Sequence, residues 1–144
     1  MPSVKQILAA KAPGVKTIDA GYTVYAAVTL LATWEIGALV VVDGGQPVGM
    51  FSERDFARKG ILRGRRAHET LVRDVMSAPL VTVTPEHTME ECMQMMTERR
   101  FRHLPVLEGE TLVGMVTIGD VVMHTIAAQR SKIEQLEGYI TGKF

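Results

Sequence analysis

The stretch VGMFSERD at residues 48–55 returns as VGMVTIGD at residues 113–120. Each copy closes an apolar run with a hydroxyl, Ser52 or Thr117, and places an acid three residues later, Asp55 or Asp120. The two stretches lie 65 positions apart, and the offset holds backwards without a gap. Thr17 then meets Thr82, Thr23 meets Thr88, Leu39 meets Leu104, Val41 meets Val106 and Gly44 meets Gly109. A constant register over about 45 residues marks an internal duplication.

Each copy opens on a predicted short strand, VKTID at 15–19 and VTVTP at 81–85. A helix follows, with Thr23 or Thr88 placed as N-cap, where a hydroxyl accepts from an orphan backbone N–H. Glu91, three residues after Thr88, completes a capping box. Val24, Ala27, Val28 and Leu31 in one copy, and Met89, Cys92, Met93 and Met96 in the other, fall at i, i+3, i+4, i+7 on one helical face. A methionine stripe also occurs in adaptable binding grooves, but a helix on such a sheet needs a buried face in any case. Two strands come next, 37–43 with 48–52 and 103–108 with 112–117, with Gly44 and Gly109 at their turns. Their nearly unbroken apolar character requires that both sheet faces be covered. A second helix starts after each hydroxyl, near Glu53 and near Ile118. The first is predicted to end by Gly60. The second is predicted to reach about Tyr139, with Ile133, Leu136 and Ile140 as a thin apolar stripe for the other half or another subunit.

The predicted class is therefore α/β (α+β), two tandem β-α-β-β-α repeats packed about a pseudo-twofold axis. The expected division is 1–66, an N-terminal helix and the first repeat, and 67–144, a linker turn, the second repeat and a long C-terminal helix. The N-terminal helix is expected from Ser3 to about Lys11, before Pro13-Gly14. LVRDVM at 71–76 is expected as one helical turn that locks the second repeat. Neither repeat is large enough to be comfortable alone.

Of the 144 residues 47% are hydrophobic, enough for a substantial core, and sixteen basic side chains balance sixteen acidic ones. That balance gives no general pull toward nucleic acid or an anionic membrane. The single cysteine, Cys92, lies inside an apolar helical pattern and reads as a core residue in a chain suited to a reducing compartment. No apolar run approaches the roughly 20 residues of a membrane span, and the first residues lack a secretory signal. The expected location is cytoplasmic. There is no Walker-A loop, G-x-G-x-x-G or C-x-x-C, and His68, His87, His103 and His124 are not paired at ligand spacing, so neither a catalytic nor a metal site is expected.

The segments GALVVVD (37–43), VGMFSERD, DVMS (74–77), RHLPV (102–106) and VGMVTIGD, in this order, resemble the cystathionine-β-synthase (CBS) domain family. Two tandem copies form what is called a Bateman module, and the resemblance covers essentially the whole chain. FSERDFARK, ILRGRR and the closing LEGYITG further resemble small stand-alone CBS-pair proteins. The resemblance implies a non-enzymatic regulatory module. Adenosine-containing ligands such as AMP, ATP or NAD would bind between its halves, and a partner protein would read the resulting change of shape.

Within that expectation each motif residue has a physical role. A helix N-terminus attracts phosphate, and a carboxylate accepts from two adjacent hydroxyls, as a ribose edge presents. Thr117, Gly119 and Asp120 would form such a corner, with Arg102 and His103 as cations for phosphate. Thr82, Val83 and Thr84 would offer backbone groups to an adenine edge, and Leu104 and Pro105 an apolar wall. In the first copy the counterparts are Thr17, Ile18, Gly37, Ala38, Ser52 and Asp55, with Arg54 in the place of Gly119. Both corners are expected to take a nucleotide, with different phosphate contacts. The competing reading of Asp55 and Asp120 is simple helix capping, and that of Arg54 an exposed residue beside Glu53 and Asp55. Arg63, Arg65 and Arg66 read as a solvated loop, with a diphosphate or a partner's acidic patch as the sharper reading; RNA is the remotest, since no aromatic stacking platform accompanies them. Trp34 reads as interface or core. The competing functions are a nucleotide-processing enzyme, for which only His103 is plausibly placed, and an interaction module with vestigial clefts. Family members commonly dimerise through their helices, so a homodimer is expected.

Overall fold

The structure, a computed structural model, describes residues 2–141; Met1 and residues 142–144, the outer ends of the expected division, lie outside the described residues. The chain opens on a short helix, Val4–Ala9 (α1), capped by Ser3 in a capping box with Gln6. The first repeat follows as Thr17–Asp19 (β1), Val24–Trp34 (α2), Ala38–Asp43 (β2), Gln46–Ser52 (β3) and the single turn Glu53–Asp55 (α3). The second runs Met89–Arg99 (α4), His103–Glu108 (β4), Thr111–Thr117 (β5) and Ile118–Thr141 (α5). Strand β1 pairs parallel with β2, and β2–β3 and β4–β5 are antiparallel hairpins.

The duplication is carried into fine detail. Thr23 and Thr88 accept at 3.1 Å from the N–H groups of Ala26 and Glu91, and Glu91 returns the bond. Gly44 and Gly109 turn the hairpins at φ +58° and +62°, where a side chain would be strained. Each hairpin shifts register at the same place, after Val41 and after Val106. Each helix buries its stripe on its own core: Val24, Ala27 and Leu31 in one repeat, Met89, Cys92 and Met96 in the other. The expected stripe is one residue too wide, because Met93 sits on the flank of α4 and is 40% exposed.

Two elements differ between the repeats. The strand expected at 81–85 is reduced to a parallel bridge between Val83 and Val106. In the first repeat the Val40 N–H donates to the Lys16 carbonyl at 3.2 Å. The equivalent residue is Pro105, which has no N–H to give, so the ladder cannot extend. The helix after Ser52 is regular only to Asp55. It widens to a π turn over Phe56–Gly60 and tightens to a 3₁₀ turn over Ile61–Arg63. At the equivalent place in the second repeat α5 continues unbroken.

The repeats exchange their opening segments. Val4 is buried in the second core, with its N–H donating to the His87 carbonyl at 2.8 Å, and Ser3 bridges Thr88. The turn expected to lock the second repeat instead seals the first: Val72 and Val75 are buried in the first core, the Val72 N–H donates to the Tyr22 carbonyl at 2.9 Å, and Leu71 bridges Thr23. The correction follows from packing, since two valines three residues apart on a 3₁₀ turn present one apolar edge, and α2 with its hairpin offers the gap. Both crossings lie against a glycine. A Cβ at Gly114 would meet the Leu8 side chain, and one at Gly49 would meet Met76 and the Ser77 carbonyl.

Candidate functional site

Strand β3 delivers Ser52 to the end of the sheet, and the chain turns at once into α3. The Ser52 hydroxyl accepts from the Asp55 N–H at 3.2 Å, while Asp55 Oδ2 accepts from the Ser52 N–H at 3.0 Å and the Ser52 hydroxyl at 3.1 Å. The other oxygen, Oδ1, accepts from the Ser77 hydroxyl at 2.7 Å and faces Lys59 Nζ at 3.4 Å. Asp55 is 6% exposed and is the buried charged side chain among the described residues. Burying a carboxylate is tolerable only with such partners.

The second corner repeats the cap and changes the partner. Asp120 Oδ2 accepts from the Thr117 N–H at 2.8 Å and the Thr117 hydroxyl at 3.1 Å, and the Thr117 hydroxyl accepts from the Asp120 N–H at 3.2 Å. Here the cation comes from the N-terminal segment: Lys11 Nζ donates at 2.8 Å both to Asp120 Oδ2 and to the Met115 carbonyl. The two corners are thus built alike and engaged differently.

A cleft of about 520 Å³ opens beside the first corner, between the repeats. It gathers Gly37, Ala38, Ser52, Arg54 and Asp55 from the first repeat with Arg102 and His103 from the second. Arg54 lines this cleft and forms no ion pair with Glu53 or Asp55. The remaining expected residues lie elsewhere. Ile18, Val83 and Leu104 are core, and Pro105 is buried on β4. Thr17 pairs with Val40, and the half-buried Thr82 precedes Val83. Thr84 donates its N–H to His87 Nδ1 at 2.9 Å, and Thr117, Gly119 and Asp120 form the second corner. The cleft also takes in Arg58, Ser77, Arg99, Arg100 and Phe101. These were not singled out from the sequence, although aligning the copies does place a basic run, 99–103, opposite WEIGA at 34–38.

His103 sits against Gly37, with its ring 3.8 Å from where a Cβ at that position would be. Burial first, then the positive charges of Arg102 and Lys11, pull its pKa below the ordinary 6.5, so the ring is neutral at pH 7. Cys92 is away from the cleft, and burial pushes its thiol up to about 11, as suits a core residue rather than a nucleophile. Among the described residues no group of His, Cys, Asp and Glu is arranged to hold a metal ion, and no helix is long and apolar enough to cross a membrane. The 63–66 arginines are solvated: Arg66 lies 3.8 Å from Glu69, and Arg65 donates to the Asp74 carbonyl. Trp34 is 37% exposed, with Lys16 Nζ 4.6 Å from its ring centroid.

The sequence profile described as "CBS domain" matches this chain twice, at residues 4–61 and 72–126. The chain is 42% identical over 127 residues to the mitochondrial CBS domain-containing protein CBSX3 of Arabidopsis thaliana, covering 85% of this chain and 62% of that one. It is 32% identical over 127 residues to the CBS domain-containing protein YhcV of Bacillus subtilis, covering 88% of each. A solved structure from Burkholderia ambifaria MC40-6, described as a candidate signal-transduction protein with CBS domains, superposes with a TM-score of 0.85 at 45% identity, covering 88% of this chain and 96% of that one. These relatives are named for their domains or for signal transduction, and none of the three names an enzymatic reaction.

Proposed function

Since the chain belongs to the CBS domain family and carries two tandem copies, we propose that it is a regulatory module whose inter-repeat cleft takes an adenosine-containing ligand such as AMP, ATP or NAD. The supporting observation is the convergence of the Ser52–Asp55 corner of one repeat with Arg102 and His103 of the other on one cleft. In this reading Arg54 and Arg102 meet phosphate and Asp55 meets the ribose hydroxyls. Both oxygens of Asp55 are already engaged, so the ribose takes the place of the Ser77 hydroxyl on Oδ1. Ser77 is tied by its backbone to Met50 in both directions, at 2.8 and 2.9 Å, so the linker between the repeats registers the exchange. A ligand shifts such an equilibrium only by its differential affinity for the two arrangements, and a partner protein reads the result.

Calorimetry on nucleotide-stripped protein tests this. Binding of AMP, ATP or NAD is expected, and Ser77→Ala, which removes the competing hydroxyl, tightens it several-fold. No heat with any of these or with S-adenosylmethionine at millimolar concentration would end the proposal, and weaker binding by Ser77→Ala would end its mechanism. We further assign a homodimer through α5, whose Met123, Ile126, Ile133, Leu136 and Ile140 are all at least 50% exposed; sedimentation as a monomer at high concentration refutes it. A cytoplasmic location suits the lone buried thiol.

A further inference from the structure

Five arginines converge on one side of the molecule. Arg54 and Arg58 come from the first repeat and Arg99, Arg100 and Arg102 from the second, and all five line the cleft of about 520 Å³. Four of them, Arg54, Arg58, Arg100 and Arg102, continue into an adjoining cavity of about 420 Å³. None of the five is in an ion pair: the salt bridges among the described residues use Lys11, Lys59, Arg66 and Arg73. Of the acids in the cleft, Asp55 already faces Lys59, which leaves Glu53 against five guanidinium groups. In a chain of zero formal net charge this is a local concentration of uncompensated positive charge.

The duplication did not copy that charge. The repeat-equivalents of Arg54, Arg58, Arg99, Arg100 and Arg102 are Gly119, Met123, Trp34, Glu35 and Gly37. Each of these five arginines answers a non-basic residue in the other repeat, and the fold brings all five onto one cleft. Arg100 makes the point most sharply. It occupies the left-handed C-cap of α4 at φ +58°, and Glu35 occupies the same position after α2 at φ +51°. The backbone shape belongs to the fold; the charge is specific to the side facing the cleft. Like charges gathered around one cleft repel, and a flexible polyanion relieves all of them together. Guanidinium groups match phosphate oxygens in planar, two-point geometry.

We propose that this cleft selects ligands carrying a run of three or more phosphates, so that the triphosphate of its adenosine ligand is favoured over the monophosphate and over a dinucleotide. The adenosine half of that statement rests on the function proposed above; the phosphate half rests on the arginines alone. The test is calorimetry of the full chain at fixed ionic strength, without magnesium, using AMP, ADP, ATP, NAD and inorganic tripolyphosphate. Affinity is expected to rise about tenfold per added phosphate, as each adds charge-assisted bonds to arginine. Tripolyphosphate binds, more weakly than ATP. Arg58→Gln and Arg100→Gln each bring ATP closer to AMP, whereas Arg66→Gln, away from the cleft, leaves ATP affinity unchanged. AMP binding as tightly as ATP overturns this proposal and leaves the adenosine reading standing. Tripolyphosphate binding as tightly as ATP upholds it and removes the adenosine reading. Failure of both ATP and tripolyphosphate, or tighter binding of a short RNA than of ATP, overturns it.

Discussion

Gly49 and Gly114 stand at repeat-equivalent positions and separate two kinds of crowding. A methyl group at Gly114 would come 2.5 and 2.7 Å from the two terminal carbons of Leu8. One at Gly49 would come 2.7 Å from the Ser77 carbonyl oxygen and 2.9 Å from Met76 Sδ. By distance alone Gly114→Ala is the worse substitution. Leu8, however, is a half-buried side chain on a short N-terminal helix, and it can change rotamer. The Ser77 carbonyl accepts from the Met50 N–H at 2.9 Å while the Ser77 N–H donates back at 2.8 Å, so its retreat breaks a reciprocal pair. Overpacking alone costs about 1–3 kcal/mol, and each lost hydrogen bond adds about 1. Gly49→Ala is therefore expected to cost about 3–5 kcal/mol and Gly114→Ala, where Leu8 can yield, about 1–2. At roughly 3 °C per kcal/mol for a chain of this size, Tm falls by about 9–15 °C and 3–6 °C respectively. Urea unfolding monitored by circular dichroism gives both values. A Leu8→Ala, Gly114→Ala double-mutant cycle should show coupling of about 1 kcal/mol, with the truncated side chain no longer opposing the new methyl. The reasoning is refuted if Gly114→Ala is the more damaging, or if Gly49→Ala lies within about 0.5 kcal/mol of the parent.

Because the folded pKa of His103 is lowered, the unfolded chain binds more protons just below the ordinary 6.5, so stability is full above that pH and falls as pH drops through the window beneath it. His103→Gln should flatten this fall in pH-dependent urea titrations, and an unchanged slope counts against a buried neutral ring. Cys92, with its thiol at about 11, should resist Ellman's reagent at pH 8 until denaturant is added; immediate stoichiometric reaction contradicts its burial. Lys11→Met removes the cation on Asp120 and is expected to cost about 1 kcal/mol, discounted because the lysine side chain is 32% exposed. The same change should raise nucleotide stoichiometry above that of the parent, since it frees the second corner; a chain that already binds two ligands with Lys11 in place rules this out.

What the sequence reveals is what depends on neighbours in the chain. The duplication, the threonine caps, both hairpins and most of each buried helix stripe follow from periods of two and 3.6 residues and from local hydrogen bonding. Pro105 carried a legible warning as well, since a proline opposite the predicted 81–85 strand removes a ladder donor. The crossing of the opening segments is not local, because nothing near Val72 says which of two similar cores will accept it. The site suffers from the same ambiguity. Aligned copy by copy, Arg102 and His103 belong with Asp120; folded, they line a cleft with Asp55. Ser77, although part of the DVMS segment, and Lys59 gain their roles through their contacts with that carboxylate, which no local sequence pattern announces.

The exchanged segments also set a timetable for synthesis. The first core becomes complete once Val75 has been made, while Val4 must await the second core, which includes Val116. Between Val75 and Val116 the nascent chain thus carries a finished half while Ile7 and Leu8 still lack their destination. Domains fold as they emerge, and an unpaired arm beside a ready-made acceptor is how strands and helices come to be traded between chains.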